Sequence, residues 1–130
     1  MSSFLSKLEL DGENYTVLKC EYEFNKPIDS TTKPSGEVTG GKIKLSIESS
    51  GNVGLLEWII APDKEKDGSI IFYRRDAMSK LLEIQFKKAY CINFKEEFNS
   101  VDNEPMCITL TIVARSLKFN HLEYQNDWTM

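Results

Sequence analysis

From Leu82 to Phe98 apolar and polar residues alternate almost without a break. That period marks a β-strand with one face toward a core and the other toward water. Leu82, Ile84, Phe86, Tyr90, Ile92, Phe94 and Phe98 fall on one face, and Glu83, Gln85, Lys87, Asn93, Lys95 and Glu97 on the other. At roughly 3.3 Å per residue the strand would reach about 55 Å, farther than a compact domain of this size is wide, so part of it is expected to overhang. Lys88 interrupts the apolar face and is a natural place for a bend or bulge. An overhanging strand presents unpaired N–H and C=O groups that must be blunted, covered or paired with another chain. The expectation is assembly.

The rest of the chain repeats the period in shorter pieces. Phe4, Leu8 and Leu10 precede the turn Asp11-Gly12, after which Thr16, Leu18, Cys20, Tyr22 and Phe24 predict a second strand antiparallel to the first. Between Asn25 and Gly36 the apolar period stops and Pro27 and Pro34 enter, which predicts an extended loop, either solvated or held by a partner. Gly40-Gly41 leads into a strand with Ile43, Leu45 and Ile47 on one face and Lys42, Lys44, Ser46 and Glu48 on the other. Asn52 is placed to cap a helix over about residues 53–61, where Val53, Leu55, Leu56, Trp58, Ile59 and Ile60 form an apolar stripe ended by Pro62. So short and apolar a helix in a β chain is expected to cover an open end or flank.

Asp67-Gly68 turns into Ile70, Phe72 and Arg74, predicting a hairpin with the long strand. Asn99 to Glu104 forms the next polar turn, Ile108, Leu110, Ile112 and Ala114 a final strand, and the tail from Asn120 has weaker periodicity. The predicted fold is mainly β: a small antiparallel β-barrel or two-sheet sandwich with one short α-helix, in a single domain spanning 1–130 with an extended loop at about 25–36.

Composition narrows the function. A chain of 130 residues, 41% hydrophobic and 28% charged, suits one globular domain. The net charge of -4 comes from scattered acids with no basic stripe, so nucleic acid has no electrostatic footprint. No apolar run approaches the roughly 20 residues of a membrane span, and Met1 to Lys7 lacks the apolar stretch of a cleaved signal peptide, so folding in the cytoplasm is expected. Cys20, Cys91 and Cys107 are odd in number, far apart and set in strand patterns, which predicts buried thiols.

Motifs that resemble chemistry fail on inspection. Gly36 to Lys42 spells G-x-x-x-x-G-K, but Ile43 stands where a phosphate loop needs Ser or Thr, and a strand follows in place of a helix. Asp63, Glu65, Asp67 and Gly68 mimic the start of a calcium loop whose closing Glu would fall at position 74, occupied by Arg74. His121 is the only histidine, and no nucleophile elbow or partnered Cys accompanies it. Glu96 and Glu97 are neighbours in a strand and point to opposite faces. Asn14-Tyr15-Thr16 fits a glycosylation sequon by chance. The expectation is no enzyme, no cofactor and no metal. Arg74, Arg75 and Asp76 form the densest charged cluster, open to reading as a solvated hairpin end or an intersubunit contact.

Together, Met1 to Leu10 (MSSFLSKLEL), Cys20 to Lys44 (CEYEFNKPIDSTTKPSGEVTGGKIK), Leu55 to Trp58 and Phe72 to Lys80 (FYRRDAMSK) resemble the Hcp (TssD) family, inner-tube proteins of bacterial type VI secretion systems related to phage tail-tube proteins. The resemblance implies six-membered rings stacked into a hollow tube inside a contractile sheath, a spike protein at the tip and, in some members, small effectors carried in the lumen. It also implies that the protein is made in the cytoplasm and expelled without a cleaved signal peptide. Candidate subunit or ring-stacking residues are then Pro27, Asp29, Lys33, Pro34, Glu37, Arg74, Arg75 and Asp76. Lys42, Lys44, Glu83, Gln85 and Lys87 are candidates for a polar lumen or exterior face. The alternatives are a ligand-binding β-barrel and the tube of a phage-like or extracellular contractile injection system.

Overall fold

The computed structural model describes residues 5–76, 79–98, 100–101 and 106–126. Its elements are β1 (Ser6–Leu10), β2 (Glu13–Asn25), β3 (Thr39–Glu48), α1 (Gly54–Ile60), β4 (Lys66–Tyr73), β5 (Lys80–Glu97), β6 (Cys107–Phe119) and β7 (Leu122–Gln125). The strands hydrogen-bond antiparallel in the order β3-β2-β1-β4-β5-β6-β7, and a further pairing of β3 with β6 closes the first six into a barrel. Along one side of β6, Cys107 to Val113 pair with β3, while Ser116 to Phe119 pair with β7, so β7 takes over where β3 departs.

β3, and β6 as far as Ala114, carry their alternation cleanly through the wall; past Arg115 the inward face of β6 shifts to Leu117. Ile43, Leu45 and Ile47 of β3 are 0% exposed, Ile112, Leu110 and Ile108 of β6 are buried opposite them, and Ala114 is buried opposite Ala89 of β5. Leu8, Leu10, Ile70, Ile84, Phe86 and Leu117 complete the filling. Burial of such side chains contributes ~1.5–3 kcal/mol each, the dominant favourable term of the fold.

In β2 and β5 the alternation changes phase, and the face expected from sequence is only partly correct. Tyr15 and Val17 point inward, so Thr16 and Leu18 do not; the ladder with β3 slips between Val17 and Lys19, and beyond the slip Cys20 and Phe24 pack on the core. In β5, Leu82, Ile84 and Phe86 face inward as expected, but Lys88 has a φ of 52° and its amide donates to Asp67 Oδ1 at 2.8 Å. After this bulge Ala89 and Cys91 become the core residues, Tyr90 turns outward, and a second slip between Cys91 and Asn93 returns Phe94 to the core. Ile92 and Phe98, expected inside, are 48% and 67% exposed. A period of exactly two cannot survive an inserted residue, which sends every later side chain to the other face.

Leu55 and Trp58 bury the inner face of α1 against β5, and Trp58 Nε1 donates to the Lys64 carbonyl at 3.0 Å. The helix-capping position is held by Val53, not Asn52; Asn52 Oδ1 accepts the Gly54 amide at 2.7 Å one step earlier. β7 is a strand that the weak periodicity of the tail concealed. Its Tyr124 joins Phe24, Tyr22 and Phe119 in an aromatic cluster, with ring centroids 4.8 Å apart for Phe24–Tyr124 and 5.0 Å for Tyr22–Phe119. Phe4, most of the expected turn at Asn99 to Glu104 and the tail after residue 126 lie outside the described residues.

The antiparallel order sorts the connections into two ends. The loop 26–38, the β4–β5 turn and the β6–β7 turn share one end; the Asp11-Gly12 turn, α1 and the β5–β6 connection share the other.

Candidate functional site

The loop 26–38 leaves the barrel wall beside the aromatic cluster, and Pro27 through Glu37 are all exposed. It nevertheless has a defined shape. Ile28 and Pro34 form an isolated antiparallel bridge, the Ser35 amide donates to the Pro27 carbonyl at 2.8 Å, and the Asp29 amide donates to the Lys33 carbonyl at 2.9 Å. Asp29 Oδ1 accepts from the Thr31 amide at 2.8 Å, the Thr31 hydroxyl at 2.6 Å and the Lys33 amide at 3.2 Å. These donors hold the Asp29 carboxyl below the usual aspartate range, the Thr31 hydroxyl contributing most. Gly36 sits where a Cβ would lie 2.8 Å from Pro27 Cγ, so the two limbs of the loop close tightly. At the root, Gly40 has a φ of 135°, and a Cβ there would lie 2.3 Å from the Glu23 carbonyl oxygen.

Of the expected contact residues, Pro27, Asp29, Lys33, Pro34 and Glu37 therefore share one projecting loop. Arg74, Arg75 and Asp76 are exposed in the β4–β5 turn at the same end, where the Arg74 amide donates to the Ser79 carbonyl at 2.9 Å. Sequence reasoning missed Ile28, which the loop presents at 63% exposure beside Pro34. An aliphatic residue between Pro27 and Asp29 was the available signal.

The polar-face candidates all lie on the outer surface of the barrel. Lys42 and Lys44 stand opposite Glu23 and Glu21 across the β2–β3 ladder and line an open depression of ≈ 690 Å³ with Tyr22, Asn25 and Thr111. Those opposed charges compensate one another. Gln85 and Lys87 face outward on the other side of β6, opposite Lys118 and Ser116. Lys80 Nζ, at 3.1 Å, and Gln85 Nε2, at 3.3 Å, both donate to Glu83 and lower its carboxyl pKa.

Barrel closure seals much of the backbone that was expected to be open. Among the described residues, β2 from Lys19 to Asn25 is paired with β3 alone and β5 from Tyr90 to Glu97 with β6 alone. The Ser6 hydroxyl donates to the Val17 carbonyl at 3.0 Å and ends the β1–β2 ladder there. Strand backbone with a single partner is thus found in the outer halves of β2 and β5 and along β7, which pairs with β6 alone. The thiols are free: Cys91 is buried and Cys20 and Cys107 are half-buried, and desolvation pushes the Cys20 thiol up to about 11.

A family model of hemolysin coregulated protein Hcp (TssD) matches residues 2–129. The chain belongs to the Hcp (TssD) family. Hcp1 from Flavobacterium johnsoniae is 34% identical and superposes with a TM-score of 0.88 over 95% of this chain and 100% of its own. Hcp1 from Salmonella typhimurium, 13% identical, gives 0.71 over 92% of this chain and 86% of that one. The sheath/tube terminator of an extracellular contractile injection system, 16% identical, gives 0.58 over 88% and 92%. The last two likenesses establish a shared fold. No curated protein sequence matches the chain. The barrel, its flanking helix and β7 are therefore the Hcp fold, and the projecting loop lies within the residues that the family model matches.

Proposed function

We propose that this Hcp-family chain is the tube subunit of a type VI secretion system, a structural protein and not an enzyme. Six copies close into a ring, and rings stack into a hollow tube within a contractile sheath. Membership of the Hcp family carries this reading, and the projecting loop at one end of the barrel supports it. A ring of one protein uses two different patches at each contact; such heterologous contacts close where the rotation allows and otherwise propagate. Lateral contacts then close the ring, and axial contacts, repeated around it, stack one ring on the next.

On this reading the loop, with Pro27, Asp29, Lys33, Pro34 and Glu37, bridges to a neighbouring copy, while Arg74, Arg75 and Asp76 add contacts from the same end. Lys42, Lys44, Glu83, Gln85 and Lys87 supply polar surface for the lumen or the exterior. Sheath and spike proteins are the outer partners, and small effectors travel in the lumen. The protein is made in the cytoplasm and expelled mechanically.

The interior of the barrel is filled by Ile43, Leu45, Ile47, Leu110 and Leu117, each 0% exposed, which argues against a ligand-binding barrel. The tube of an extracellular contractile injection system is the nearer rival, favoured by the likeness to its sheath/tube terminator. Sedimentation of the wild type and of a Pro27–Gly36 deletion tests the assembly reading. The wild type is expected to sediment as rings and tubes and the deletion to lose them; tubes formed equally by both would remove the loop from its bridging role.

A further inference from the structure

Thr32, at the tip of the loop, has a φ of 66°. That left-handed region is unfavourable for any residue with a Cβ, and more so for a β-branched one. The strained residue is bracketed: Asp29 Oδ1 accepts the amides of Thr31 and Lys33, on either side of it, and also the Thr31 hydroxyl. The Thr32 amide itself returns to the Asp29 carbonyl at 3.0 Å. No hydrophobic burial holds this turn, since every residue from Pro27 to Glu37 is exposed. Its shape rests on one carboxylate, two prolines and a short backbone ladder.

Resting on the assembly reading above, we infer that Asp29 is a positioning residue: its carboxylate staples the Thr31–Lys33 turn around the strained Thr32, and so pre-shapes the loop that docks on the next copy. A loop that must order itself at the contact loses affinity to the conformational entropy of every residue it fixes. A loop already in shape does not. The effect is multiplied around a ring, where each stacking event uses every copy of the loop. Ile28, held in place by its bridge to Pro34, is the side chain the staple presents.

The staple uses only the acceptor capacity of Oδ1, which an Asn side chain retains and an Ala side chain lacks. The strain at Thr32 is what the staple opposes, and Gly at that position removes it. Four variants separate these roles when compared with the wild type by sedimentation and by amide hydrogen exchange: Asp29→Ala, Asp29→Asn, Asp29→Ala with Thr32→Gly, and the Pro27–Gly36 deletion. Asp29→Ala is expected to speed exchange at the Thr31 and Lys33 amides and raise the concentration needed for tubes about tenfold, the loss of a hydrogen-bonded anchor. Its melting temperature should remain that of the wild type. Asp29→Asn should stay close to wild type in all respects, and Thr32→Gly should restore most of what Asp29→Ala loses.

If the deletion abolishes tubes but Asp29→Ala assembles like wild type, the loop still bridges and the staple is dismissed. If Asp29→Asn fails as badly as Asp29→Ala while its loop amides stay protected, Asp29 touches the partner directly and the positioning role is wrong. If the deletion assembles normally, the bridging reading falls and the docking role of Asp29 with it, whatever the exchange at the turn shows.

Discussion

The wall of the barrel and the loop that projects from it are built by different physics. Along β3 and β6 the side chains decide: alternate residues are removed from water, the facing strand is in register, and the backbone follows. From Pro27 to Glu37 nothing is buried, and the conformation is set by ring-locked φ angles, a bridge and one carboxylate. A region held by burial resists exchange of surface residues but not of core ones, and a region held by a few directional bonds behaves in the opposite way. The wall therefore governs whether the subunit folds, and on the proposed reading the loop governs how it assembles once folded.

The sharpest separation comes from the wall. Leu45→Ala removes a fully buried side chain from the middle of β3 and is expected to cost ~2–5 kcal/mol in denaturant unfolding. Isolated subunits that still fold should keep the same exchange at Thr31 and Lys33. A loop that loosened together with the core would break the division between the two regions.

The junction comes next in size. Gly40→Ala places a Cβ against the Glu23 carbonyl and the Phe24 Cα, at 2.3 and 2.9 Å, in a backbone conformation that disfavours side chains. A loss of ~1–3 kcal/mol is expected, together with weaker assembly, because the root of the loop and the wall both pass through this residue. Wild-type stability with normal tubes would show that the hinge relaxes freely.

The smallest effect is that of pH on the loop alone. The folded Asp29 carboxyl titrates below its unfolded value, so its contribution is fully present above the unfolded pKa and is lost as pH falls through the lowered one. Exchange at Thr31 and Lys33, corrected for its intrinsic pH dependence, should therefore rise relative to β3 and β6 only on the acid side of the usual aspartate range. An equal rise in the wall would point to general acid unfolding.

The same contrast decides what was legible beforehand. Ile43, Leu45 and Ile47 and the run from Ile108 to Ala114 could be read directly, because no residue interrupts their period. The inward faces of β2 and β5 could be read only in part, since the slips at Leu18, Lys88 and Ile92 are set by pairing with other strands; Lys88 gave its position away, but not the change of face it causes. Tyr124 escaped because β7 is short and leans on aromatic partners distant in sequence. For the candidate surfaces, Pro27, Pro34 and the absence of apolar period located the loop, yet the staple on Oδ1 and the exposure of Ile28 follow from three-dimensional geometry. Arg74, Arg75 and Asp76 were recognisable as a cluster; that they share an end with the loop needed the strand order.

On the proposed reading, a subunit complete in its core associates with copies of itself through an exposed, pre-shaped loop. Electron microscopy of the purified full-length protein across a range of concentrations tests it most directly. Rings with a central hole, six-fold in projection and stacking into tubes as concentration rises, are the predicted result. Isolated single subunits at every concentration would contradict it.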